Sequence, residues 1–218
     1  MPHLFQNLIN PLRFITLVGI LTLAASWTHA QNRFSLQADA GMSIASLKMT
    51  ELGKKNDELN SLNGLQGRIL TGYTFTENLS IHTGLAYVQL GAWQKHEDHH
   101  DDIRIHGLEI PFLFRYKLNA GPGALGLSAG PALTYHLSAM VHEHEDGIET
   151  ESELTVGNNV NDFIKPKNLN LQAEVSYTHR SGLMLNMRYN SGLLDLGTSN
   201  SVQMQSSYLA LGLGYRLF

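Results

Sequence analysis

The sequence predicts an all-β fold: a closed, antiparallel, up-and-down transmembrane β-barrel of about eight strands, preceded by a cleaved signal peptide. Three observations predict it. Apolar residues recur at every second position in window after window along the chain. The connections between those windows alternate between short and long. An apolar run near the N-terminus carries the features of an export signal, and no other segment approaches the length of a membrane helix.

The leader comes first. Arg13 precedes an apolar run from Phe14 to Trp27, followed by Thr28-His29-Ala30 and then Gln31-Asn32. A basic start, an apolar centre and a small residue at the cut describe a secretory signal peptide. A membrane anchor would need about 20 apolar residues, and this run is shorter. The sequence therefore divides into a signal peptide over 1–30 and a barrel domain over 31–218, exported to the cell outer membrane.

The strands follow in order. Alternation runs through Phe34 to Ile44, Leu65 to Thr76, Leu79 to Val88 and Leu108 to Leu118. It resumes in Leu125 to Ser138, Leu169 to Thr178, Leu183 to Asn190 and Tyr208 to Phe218. Helical spacing does not fit these windows. Each is near the length of about 9–11 residues that a tilted membrane strand needs. Between them, 76–78, 119–123 and 179–182 are short, 48–63, 91–104 and 139–167 are long, and 197–206 is intermediate. Outer-membrane barrels show this asymmetry, with brief periplasmic turns and longer outer loops.

A soluble barrel would also alternate, so the faces decide. One face carries Leu, Ile, Phe, Tyr, Val and Met. The other carries Gln37, Asp39, Gln66, Arg68, His82, Glu109, Arg115, Glu174, Asn186, Arg188 and Arg216, interspersed with glycine. Small residues on the polar face suit a narrow bore. Aromatic residues sit near the strand ends of the apolar face: Tyr73, Phe75, Phe114, Tyr116, Tyr177 and Tyr215 at one end, Tyr87, Trp93, Tyr135 and Tyr189 toward the other. Such girdles mark the two membrane interfaces. The apolar face is therefore expected to meet lipid.

Composition narrows the function. With 15 Lys and Arg against 19 Asp and Glu and no basic stripe, nucleic acid is not an expected partner. The absence of cysteine removes disulfides, thiol catalysis and Cys-based zinc sites.

Four segments carry a family resemblance: Leu108-Glu109-Ile110-Pro111-Phe112-Leu113-Phe114-Arg115-Tyr116-Lys117, then Gly126 to Pro131, Arg188 to Leu193, and Gly212 to Arg216. On these the mature chain resembles the PorT-like outer-membrane β-barrel family of Gram-negative bacteria over nearly all of 31–218. The resemblance implies the barrel fold and says little about activity, since members are diverse; some serve protein-secretion machinery. One departure stands out. Leu209, Leu211, Leu213, Tyr215 and Leu217 share a face, which leaves the terminal Phe218 out of phase.

The lumen charges are expected to pair with one another, because an unpaired buried charge is very costly. Pro111 and Pro131, on consecutive strands, are expected to share a bulge that accommodates both missing donors. Two His-acid runs, His96-Glu97-Asp98-His99-His100-Asp101-Asp102 and His142-Glu143-His144-Glu145-Asp146, lie in long connections at one rim. Imidazole with carboxylate suits zinc, copper or nickel, so His96, His99, His100, His142 and His144 are candidate ligands of a divalent metal; the alternative is a solvated polar loop. No other cofactor is implied. A lipid-modifying enzyme would need a nucleophile, base and orienter together. His136 and Ser138 lie close in sequence but have no evident acidic orienter, so no catalytic residue is assigned. The expected role is structural or interactive, in a monomeric barrel that is not a porin, with outer-membrane lipid and envelope or secretion-system proteins as partners.

Overall fold

A computed structural model describes residues 33–51, 54–56, 59–95, 99–145, 148–159, 162–199 and 202–218. The expected signal peptide over 1–30 and the candidate ligand His96 lie outside them. Eight long strands form the wall: β1 (Phe34–Glu51), β3 (Asn60–Thr74), β4 (Leu79–Lys95), β5 (His99–Ala120), β6 (Gly123–Glu145), β8 (Lys167–His179), β9 (Leu183–Gly192) and β10 (Val202–Arg216). Two short strands, β2 (Lys54–Asn56) and β7 (Ile148–Leu154), pair with β1 and β6 beyond the wall. The order β10-β9-β8-β6-β5-β4-β3-β1 is that of an up-and-down meander, and pairing of β10 with β1 closes it. All neighbours are antiparallel.

Burial settles which face is which. In β9, Leu185 is 57% exposed and Met187 48%, whereas the alternating Asn186 and Arg188 are each 1% exposed. The same inversion runs round the barrel: Met42, Leu65, Ile69, Phe112, Phe114, Leu171, Leu211 and Leu213 all point outward. A protein in water would do the reverse. An apolar belt outside and polar side chains inside is the pattern of a barrel in lipid.

Turn chemistry places the two ends. At the short-turn end, Gly121 and Gly182 adopt positive φ (55° and 93°), conformations that side chains with a Cβ rarely take. Arg180 ties two of these turns together, its backbone N–H and its Nε both donating to the Pro122 carbonyl at 3.1 Å.

The opposite end corrects the expected loops. The segments 91–104 and 139–167 are in large part ladder: β5 runs for 22 residues and β6 for 23, about twice what a membrane strand needs. Together with β4 and β7 they carry a sheet beyond the membrane. The prolines also behave differently from expectation. Pro111 pairs with Ala132, and the β5–β6 ladder resumes at Phe114–Ala129 in the same register, so no bulge is shared there. The register shifts instead between His106 and Gly107. Phe218 needs no phase correction, because β10 ends at Arg216 and both Leu217 and Phe218 are exposed beyond it.

Candidate functional site

The interior is built in layers along the barrel axis. The first is an ionic layer toward the short-turn end. Register sets Asp39 of β1 opposite Arg68 of β3, and Ser128 of β6 opposite both Arg115 and Glu174. Arg68 Nε donates to Asp39 Oδ2 at 2.6 Å, and its Nη2 lies 2.5 Å from Glu174 Oε2. Arg115 reaches the other Glu174 oxygen at 2.8 Å, Gln37 Oε1 at 2.8 Å and Ser128 Oγ at 2.9 Å. All four charges are buried. For these four residues the expected pairing of lumen charges holds.

A second polar layer surrounds Glu109, which is wholly buried. It accepts from the Tyr208 hydroxyl at 3.0 Å, from Asn190 Nδ2 at 2.8 Å and from Thr134 Oγ1 at 3.2 Å. Arg188 donates to Gln66 Oε1 at 2.6 Å and lies over the Tyr208 ring, 5.7 Å from its centroid. Hydrogen bonds from neutral groups thus satisfy this carboxylate, where the sequence suggested only ion pairs.

Above these layers the interior turns apolar, which alternation alone did not reveal. Leu47, Val88, Leu90, Ile105 and Met204 point inward from the strands, and Ile164 and Leu196 come from the β7–β8 and β9–β10 connections to complete one buried cluster. Those connections are fixed by hydrogen bonds: Lys165 N donates to Leu196 O at 2.9 Å, and Met204 N to Asp195 Oδ1 at 2.8 Å. Ile164 also bridges Val156 and Gly197. This cluster forms an apolar plug inside the half of the bore away from the short turns.

Arg216 departs from expectation. It has the inward phase, opposite Gln37, but lies exposed at the short-turn mouth. There it borders a cavity of about 80 Å³ with Lys117, His82 and Arg115.

On the outward face of the projecting sheet, Asp102, His142 and Glu151 stand opposite one another on β5, β6 and β7. His142 Nδ1 lies 3.5 Å from Asp102 Oδ2, and its Nε2 lies 3.8 Å from Glu151 Oε1. Arg104 Nε donates to Asp102 Oδ2 at 2.7 Å. Two residues further along, register sets His100 opposite His144 and His144 opposite Glu149. Among the described residues, no three His, Asp or Glu side chains close on one point.

The match to known proteins covers most of this architecture. Residues 29–197 fit the family model of the outer membrane protein beta-barrel domain. The chain belongs to that family. As an outer-membrane barrel it also resembles several solved structures. Ail, the attachment invasion locus protein of Yersinia pestis, is 14% identical, with 85% of this chain and 99% of that one covered and a TM-score of 0.43. Neisserial surface protein A is 17% identical, covering 84% and 96%, with a TM-score of 0.41. OprG of Pseudomonas aeruginosa is 11% identical, covering 85% and 96%, with a TM-score of 0.47. No curated protein matches the chain.

The candidate ligands of this outer-membrane barrel separate on the strands. Along the β5–β6 ladder His100 pairs with His144 and Asp102 with His142, while His99 pairs with Glu145 one step away. Far from lying outside the ladder, these histidines are part of it. His136 is turned inward against the Lys165 carbonyl at 2.8 Å and makes no hydrogen bond with Ser138. Two serine–histidine pairs that the sequence did not suggest do form, Ser80 with His82 at 3.0 Å and Ser181 with His179 at 2.9 Å. Among the described residues neither imidazole has a carboxylate partner to orient it.

Proposed function

We propose that this protein is a non-conducting outer-membrane barrel whose work is done by the sheet of β4, β5, β6 and β7, presented to partners outside the membrane. The carrying observation is the contrast between a bore filled by two polar layers and an apolar plug and a β5–β6 ladder about twice the membrane span. A bore of eight strands is only wide enough for side chains to fill. The Leu108 to Lys117 segment supports a place in the PorT-like branch, which would put the partners among envelope or secretion-system proteins.

Because the chain has no native cysteine, single cysteines report topology directly. On intact cells an impermeant maleimide should label Glu151→Cys and spare Glu77→Cys. The opposite result would overturn the orientation. Purified barrel in planar bilayers should show no stable porin-sized current steps, and steady large conductance would overturn the sealed bore.

A second reading has its own observation. The 3.5 Å between Asp102 Oδ2 and His142 Nδ1 is near the edge of about 3.4 Å that a tetrahedral zinc shell with bonds of about 2.0–2.2 Å requires. Register places the His100–His144 pair two residues further along the same ladder, and Arg104 would have to release Asp102. On this reading zinc or copper binds there and is lost below about pH 6, as the imidazoles protonate. Equal calorimetric affinity in wild type and in a variant with His99, His100, His142 and His144 all changed to Ala would remove the metal reading and leave the interaction reading standing.

A further inference from the structure

The cavity at the short-turn mouth serves neither the plug nor the outer sheet. Its volume of about 80 Å³ exceeds the roughly 10–15 Å³ that one water needs, leaving room for several waters or one small anion. Its walls supply donors. Lys117 borders it from β5 and Arg216 from β10, and the hydroxyls of Ser35, Ser176 and Thr178 border it without a partner among the described residues. Lys and Arg can only donate. His82, on the same wall, bonds Ser80 through Nε2 and has a buried Nδ1 without a partner.

Charge points the same way. Behind the mouth the buried interior is balanced: Arg68, Arg115 and Arg188 stand against Asp39, Glu109 and Glu174, three of each sign. Lys117 and Arg216 are therefore surplus to that network, and among the described residues neither forms an ion pair. Among the described residues lining the mouth, Glu77 is the one carboxylate, against the two cations Lys117 and Arg216. The absence of a side chain at Gly126 keeps the space open. A Cβ there would lie 2.7 Å from Ser176 Oγ and 3.3 Å from Arg115 Cδ.

We propose that this mouth binds a small oxyanion of the phosphate class. The ring of strands separates the cavity from the bilayer, so the anion arrives from the water at the short-turn side. The site depends on the barrel fold alone, and its test is independent of what the outer sheet meets.

The probe is inorganic phosphate, titrated calorimetrically at pH 7 into the mature barrel in zwitterionic nanodiscs, with ionic strength held constant by sodium chloride. Saturable one-to-one binding is expected. The pair Lys117→Gln and Arg216→Gln should weaken it roughly tenfold or more, since two charge-assisted donors are lost. Lys167→Gln should leave it unchanged, because that ammonium lies over the Tyr135 ring instead. Unaltered heat-modifiable migration on gels would show that the variants fold, and Lys117→Gln alone gives an independent reading on a milder change. Heats that vanish at constant ionic strength, or equal affinity in wild type and the double variant, overturn the proposal. Phosphate binding lost only when phosphatidylglycerol is included would assign the cavity to a lipid headgroup and overturn the water-borne source.

Discussion

The two halves of the bore share the same strands and the same lipid-facing exterior, yet they are filled by opposite chemistry. Toward the short turns the interior is ionic, with Arg68 and Arg115 both gripping Glu174. Toward the outer sheet it is largely aliphatic, with Ile164 and Leu196 wholly buried. The first half is held by directional contacts whose partners are costly to remove one at a time. The second is held by close packing, where cost follows the volume deleted. A β-barrel wall thus constrains only its outer face, while the inner face is polar in one half of this bore and apolar in the other.

Four substitutions probe that contrast, in descending order of effect. Glu174→Ala removes the carboxylate that two buried guanidiniums share and should cost about 3–5 kcal/mol, read from urea unfolding in lipid vesicles. A loss under about 1 kcal/mol would mean that the ionic layer is not what holds the lower half. Leu196→Ala should cost about 2–5 kcal/mol in the same assay, through the cavity it opens in the plug. A neutral result would show the plug to be loosely packed. Phe112→Arg, on the shared exterior, should cost about 2–4 kcal/mol from its lipid exposure. If it is tolerated, Phe112 does not face lipid. Asp102→Asn, on the sheet beyond the membrane, should shift stability by about 1 kcal/mol or less, since its Arg104 partner is substantially exposed. A larger loss would make the sheet an integral part of the barrel's stability.

The wall was legible because lipid demands large apolar side chains at every second outward position, and Leu183 to Tyr189 shows that period plainly. The plug was not, because Val88, Leu90 and Ile105 put apolar residues on the inward face as well, and alternation cannot say what the other face touches. The projecting sheet was missed for a different reason. His99 to Asp102 and His142 to Glu145 have no apolar face, so they read as solvated loop, whereas here they belong to paired strands, with Asp102, His142 and Glu151 directly opposite one another. The mouth cavity left a partial trace. Arg216 had the phase of a lumen charge, and only its place as the last residue of β10 turns it to the rim.

The seam between β1 and β10 carries a consequence for how the molecule is made. Fifteen residue pairs join the two ends of the barrel domain, from Gln37 with Arg216 to Glu51 with Val202. None can form until the last strand has been delivered, so closure is a step of maximal sequence separation and should be slow. Until the seam closes, β1 and whichever strand was added last present open edges that invite pairing with other chains. The interval between synthesis of Phe34 and arrival of Arg216 is therefore the period in which this protein most needs an escort.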